Sequence, residues 1–122
     1  MLLFVIPSAY SIDNSKVRYY SVVEVTETSL NLALTSLENQ DFDSTKNFIE
    51  FGSTHFSKNL EKLRNVDASL TDEVHISLLD LQTRQLTPEN LSTVSSELPE
   101  LLKFLRQFLK MKNTILMLQL HY

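Results

Sequence analysis

A single glycine and three prolines in 122 residues leave this chain very few places to turn sharply. An all-β domain needs a turn signal every 8 to 12 residues or so. That supply does not exist, so the sequence predicts a fold of long helices joined by short connections. The length suits one domain, and 43 % hydrophobic residues are enough to bury a core without disulfides or a structural metal. No cysteine is present. That excludes thiol catalysis, disulfide scaffolds and Cys-based zinc or iron–sulfur sites, and it leaves the redox compartment undetermined.

Apolar residues recur at helical spacing through most of the chain. From Lys16 to about Asn39, Tyr19, Val23, Thr26, Leu30, Ala33, Leu34 and Leu37 form one stripe. The β-branched cluster Val22, Val23, Val25 and Thr26 lowers local helix propensity there, so packing must hold the first half of this helix. Asp41 or Asp43 is placed to cap a second helix running to about Asn65, with Thr45, Phe48, Ile49, Gly52, Phe56, Asn59, Leu60 and Leu63 facing inward. Gly52 costs about 1 kcal/mol relative to Ala in a helix interior, which points to close approach of another helix rather than to a hinge.

Asp67 or Ser69 caps a third helix reaching about Arg84, with Leu70, Val74, Ser77, Leu78 and Leu81 inward. Ile76 and Leu79 point the other way. Thr87, Pro88 and Glu89 then carry the clearest start signal in the chain. A fourth helix follows, with Leu91, Val94, Leu98, Leu101, Leu102, Leu105, Phe108 and Leu109 on one face. Pro99 removes one of its internal hydrogen bonds, so this helix is expected to kink there or to restart on Ser95 or Ser96. The expected fold is all-α: an antiparallel up-down bundle of four main helices, the fourth kinked or restarted near Pro99.

Charge narrows the classes of partner. Residues 1–99 carry 7 basic and 14 acidic side chains, while residues 100–122 carry 4 basic and 1 acidic. An acidic body repels phosphate backbones, so nucleic acid is not an expected partner. The longest uncharged runs, Met1–Ile12 and Asn113–Tyr122, fall short of the roughly 20 residues that a membrane-spanning helix needs. Lys103, Arg106 and Lys110 form a basic strip on the fourth helix, with Lys112 just beyond. This strip suits the negative end of a helix dipole, and its sharper reading is contact with anionic lipid or an acidic partner, next to the apolar run Ile115–Leu118.

The start of the chain, MLLFVIPSAYS, has the outline of a short secretory leader. Leu2 to Ile6 supply an apolar core, and Ala9 and Ser11 occupy the alternate small positions that a signal peptidase reads. No basic residue precedes them. The organisation that follows is a truncated leader over residues 1–11, a helical domain over 12–112 and an apolar tail over 113–122. The competing reading is a terminus whose Leu3, Val5 and Ile6 dock on the core, which leaves a cytoplasmic location open.

Residues able to carry chemistry are sparse. Asp72 and His75 stand three apart on the third helix and are the best candidate metal ligands, with solvated surface residues as the plain alternative. Carboxylate-bridged dimetal bundles require a Glu-x-x-His on each of two helices, and Gly52 stands three before His55. Glu24, Glu27 and Glu50 could supply further carboxylates and read equally as solvated edges. No serine lies in an activating motif, and one glycine cannot build a phosphate loop. No enzyme activity and no cofactor are expected. Exposed Ile76, Leu79 and Phe51 are instead candidate contacts to a protein partner.

The segment LNLALTSLENQDFDSTKNFIEFGSTHFSKNLEKLRNVDASL, Leu30 to Leu70, resembles the helical extracytoplasmic regions found ahead of iron permeases of the oxidase-linked type, and it is similar to the bundles of imelysin-like iron-uptake proteins. The likeness is a cadence of leucine-rich helix, acidic turn, aromatic-rich helix and acidic turn, over about a third of the chain. The permeases' Arg-Glu-x-x-Glu motif is missing, and Gly52-Ser53-Thr54-His55 departs from the Gly-x-His-x-x-Glu spacing of the imelysin-like proteins. No iron-binding residue carries over. The resemblance implies an extracytoplasmic bundle, membrane-associated and accessory to transport of iron or another metal. The alternatives are a cytoplasmic adaptor bundle and a metal-binding bundle.

Overall fold

A computed structural model of the chain describes the backbone of residues 6–120 and the side chains of residues 20–110. Five helices account for nearly all of it: α1 (Ile6–Glu38), α2 (Phe42–Lys58), α3 (Leu60–Val66), α4 (Ala68–Thr83) and α5 (Leu91–Leu120), with a 3-10 turn at Pro88–Asn90. No strand forms among the described residues. The protein is all-α, as the scarcity of glycine and proline requires. Among the described residues the helices number five where the sequence pattern suggests four.

The difference arises at Asn59. The apolar pattern runs on unbroken from α2 to Leu63, but the backbone turns at Asn59, whose N–H reaches the carbonyls of Phe56 and Ser57. Its side-chain amide donates to the carbonyl of His55 at 3.0 Å. An asparagine that satisfies the last carbonyls of one helix from both backbone and side chain ends that helix without proline or glycine. α3 is therefore a corner of about two turns that leads into α4.

The connection from α1 to α2 is a Schellman turn. Asp41 N–H donates to Ser36 O at 2.9 Å and Gln40 N–H to Leu37 O at 2.9 Å, which are the two bonds that close this motif. Gln40 occupies the left-handed position with φ of 58°, where glycine would be the commoner choice. Asp41 then opens α2: its carboxylate accepts from Ser44 N–H at 3.2 Å and from the Ser44 hydroxyl at 2.7 Å. Of the two acids offered by the sequence, Asp41 is the cap. Asp67 does the same for α4, accepting from Leu70 N–H at 3.0 Å.

The bonds from Ser44, the side-chain one foremost, hold the Asp41 carboxyl below its ordinary value of 3.8. A carboxyl lowered in the folded state stabilises that state above the unfolded pKa, and the stabilisation is lost as pH falls through the folded value. Asp41→Ala is expected to lower the melting temperature at pH 7, with the gap to the parent protein narrowing as pH drops from about 4 downward. Melts across that range check this. A gap that stays constant would mean that the charge contributes nothing.

The core is one continuous cluster that draws on every helix. Val23, Leu30, Ala33 and Leu37 of α1 meet Ile49 and Phe56 of α2, Leu63 of α3, Leu70, Val74, Leu78 and Leu81 of α4, and Val94, Leu98, Leu101, Leu102, Leu105 and Phe108 of α5. These follow the periodicity expected from the sequence, with Leu34, Phe48, Leu91 and Leu109 half-buried at its margin. At the head of the α1 stripe the structure buries Tyr20; the side chain of Tyr19, expected there, lies outside the described residues. α1 packs most extensively on α2, and then on α5. α4 closes the arrangement by touching α2, α3 and α5.

α5 runs unbroken through Pro99. The expected restart does not occur. The proline is exposed, so the carbonyl four residues earlier, on Ser95, can turn to water in place of the lost N–H. The start signal at Thr87–Glu89 produces the 3-10 turn, where Asn90 N–H donates to Thr87 O at 3.0 Å, and the α-helix begins at Leu91. Residues 6–11, part of the suggested leader, have helical backbone within α1. Residues 1–5, the side chains of the 113–122 tail, Lys112 and His121 fall outside the described residues.

Candidate functional site

Asp72 and His75 do sit one turn apart on α4, both half-buried. Asp72 is taken by a different partner: Arg64 Nη1 of α3 lies 2.9 Å from its Oδ1. The pair therefore serves to tie α3 to α4. Among the described residues no three His, Asp or Glu side chains converge as a metal site. Glu27 faces α5, where its Oε2 lies 3.8 Å from Arg106 Nε, an ion-pair distance too long for a hydrogen bond. Lys103 and Lys110 are exposed on α5 with Arg106, so the basic strip exists as a surface feature.

One further ion pair joins α4 to α5. Arg84 Nη2 lies 2.9 Å from Asp80 Oδ2 on α4 and 2.9 Å from Glu97 Oε1 on α5. The bond from Asp80, with the charge of Glu97 beside it, raises the guanidinium above its ordinary value. Close by, Ser77, Asp80, Ser96, Glu97 and Glu100 line a depression between α4 and α5. The Ser96 hydroxyl donates to Thr93 O at 2.9 Å, and Glu97 Oε2 is buried with no hydrogen-bond partner.

The feature that stands apart is a groove of about 670 Å³ between α1 and α2, lined by Ser21, Glu24, Val25, Thr28, Ser29 and Leu32 on one side and Asn47, Phe48 and Phe51 on the other. Its floor comes from a close helix crossing. A Cβ placed on Gly52 would lie 3.4 Å from Ser29 Cβ and 3.7 Å from Thr26 O, so only a small residue at this point lets the helices approach as they do. The buried Ser29 hydroxyl donates to Phe48 O at 2.6 Å, pinning the crossing. Val25 and Leu32 stand up along one wall, 38 % and 46 % exposed, and Phe51 along the other, 59 % exposed. The His55 ring lies parallel to Phe51 with centroids 6.2 Å apart, an offset stack that helps to hold that ring in place.

Five large apolar side chains are more than a third exposed among the described residues: these three, with Ile76 at 67 % and Leu79 at 45 %. The sequence identifies Phe51, Ile76 and Leu79 as outward-facing, and so they are. It does not identify Val25 and Leu32, and it does not show that Phe51 belongs with them while Ile76 and Leu79 stand apart on α4. The available signal was a second alternation of three and four along α1, at Ser21, Val25, Thr28, Leu32 and Thr35. Three of its five members are hydroxyl residues, which hides it in an apolar count.

No described helix is long and apolar enough to cross a membrane. No family model, curated protein or solved structure matches the chain.

Proposed function

We propose that this protein is a non-catalytic helical-bundle domain that works by docking another protein on the outer face of α1 and α2. The observation that carries this reading is the convergence of Val25, Leu32 and Phe51 on one groove. Leaving three large apolar groups in water on one side of a small domain forgoes stabilisation of about 25 cal/mol per Å² of apolar area, and covering them recovers it. In the same reading α1, α2, α4 and α5 form the up-down four-helix frame, α3 serves as its corner, and the polar network of Arg84, Asp80 and Glu97 is structural.

A photo-cross-linking residue at position 51, compared in cells with one at exposed Thr93 on α5, tests the docking reading. A discrete adduct is expected from position 51 alone, abolished by Leu32→Asp. No adduct, or the same adduct from both positions, would remove the proposal.

An extracytoplasmic position beside a metal-transport partner is the further part of the proposal. It is supported by the leader-like start and by the helical cadence of residues 30–70. Fractionation followed by N-terminal sequencing addresses it independently: a mature chain beginning at Ile12 outside the cytoplasm supports it, and Met1 retained in the cytosol overturns it.

A further inference from the structure

α1 carries two seams. Val23, Thr26, Leu30, Ala33 and Leu37, spaced alternately by three and four, are all buried. Ser21, Val25, Thr28, Leu32 and Thr35 repeat that alternation on the exposed side. On α2, Ser44, Phe48, Phe51, His55 and Lys58 have the same spacing and are all at least partly exposed, with Phe48 and Phe51 lining the groove. Alternating three- and four-residue spacing is the pattern by which one helix meets another. Two such rows flanking one hollow are complementary to a single helix laid between them.

We propose that the groove receives one amphipathic α-helix of about three turns from a partner protein, apolar along one stripe and rich in lysine or arginine elsewhere. The inference rests on the docking reading above and specifies its partner. Length follows from the lining: Ser21 to Leu32 spans about 17 Å at 1.5 Å per residue. Shape excludes a symmetric pairing with a second copy, because two identical hollows placed face to face enclose a void that neither can fill. A convex helix fills it, with its apolar knobs over the Ser29 floor and between Leu32 and Phe51.

Charge fixes the rest of the partner. From Tyr20 to Lys58 the α1–α2 hairpin holds six acidic and two basic side chains: Glu24 lines the groove, Glu38, Asp41 and Asp43 lie at and beside the connecting turn, and Glu27 and Glu50 face α5 and α4. Such a field draws in a basic helix and repels an anionic membrane surface. Phe51 is the anchor: a large ring, well exposed, already ordered by its stack on His55.

The probe is a synthetic helical peptide of about 18 residues, or five turns, with leucines at the alternating spacing and lysines elsewhere. A twin carrying glutamates in place of the lysines and a sequence-scrambled lysine peptide serve as comparisons. Binding to the full chain is read by fluorescence anisotropy near physiological salt. The lysine peptide is expected to bind at least about tenfold tighter than either comparison, and Phe51→Asp or Leu32→Ser to weaken it about tenfold or more. Ile76→Asp should leave it unchanged. Circular dichroism melts of each variant separate loss of binding from loss of fold.

Equal binding of the three peptides, undiminished binding to Phe51→Asp, or an equal loss in Ile76→Asp would overturn the inference. So would a dimer seen in sedimentation and dissolved by Phe51→Asp, which would give the groove to a second copy. Stable partition onto phosphatidylserine vesicles that Phe51→Asp abolishes would give it to a membrane. If position 51 cross-links a protein in cells while the lysine peptide fails to bind, docking stands and the basic-helix assignment falls.

Discussion

Replacing Phe56 by alanine is expected to destabilise the protein by about 3–5 kcal/mol, enough to leave a substantial fraction unfolded at physiological temperature. Phe56 has no exposed surface and belongs to the single apolar cluster that joins all five helices. It sits one turn from the end of α2, next to the corner at Asn59, where little backbone is free to collapse into the space a missing ring would leave. The control lies five residues away on the same helix. Phe51→Ala removes the same ring from a position 59 % exposed, and its effect should stay within about 0.5 kcal/mol. Urea titrations of the two variants should therefore differ by several kcal/mol. Similar midpoints would mean that the inner and outer faces of α2 are wrongly assigned. Phe51→Ala should show its effect in binding instead.

Gly52 is expected to respond in opposite directions to two substitutions. The closest atom to a Cβ at this position would be Ser29 Cβ at 3.4 Å, an ordinary contact, and the backbone there is normally helical with no positive φ. Gly52→Ala should therefore stabilise the protein by about 0.5–1 kcal/mol, the helix-propensity difference. Leucine adds three further carbons with Ser29 and the Thr26 carbonyl already in the way. Gly52→Leu should cost about 1–3 kcal/mol by overpacking, and by pushing α1 and α2 apart it should also remodel the groove. The pair of thermal melts is the check. A loss from alanine would mean that the crossing is tighter than 3.4 Å, and tolerance of leucine would mean that the helices part freely.

What was legible in the sequence followed from burial at helical spacing. Leu30, Phe56, Leu78 and Leu105 could be placed inside because a 3.6-residue repeat leaves one face for apolar groups, and Asp41 and Asp67 could be read as caps because they precede such repeats. The break at Asn59 was not legible: its neighbours Phe56, Leu60 and Leu63 keep the repeat through the corner, and the turn depends on how Asn59 bonds to carbonyls behind it. Pro99 was legible in part: of the kink and the restart that the sequence allowed, the restart does not occur, because on an exposed face the Ser95 carbonyl can turn to water. The groove was half legible. Phe51 stood out as an exposed aromatic, but its partners Val25 and Leu32 lie on a helix whose stronger seam faces the core, and only tertiary packing brings the weaker seam beside α2.

The turn at residues 39–41 bears on how the chain finds this structure. With Asp41 closing α1 through its N–H and opening α2 through its carboxylate, only three residues separate the two helices with the most extensive contact in the molecule. Joining partners so near in sequence forfeits little chain entropy, so the hairpin is the expected nucleus from which refolding proceeds. Stopped-flow kinetics would show this as slower refolding, with nearly unchanged unfolding, when Leu30 or Ile49 is trimmed. Faster unfolding alone would place the nucleus elsewhere. The walls of the groove would on this account be among the first surfaces assembled, in place before α4 and α5 have docked behind them.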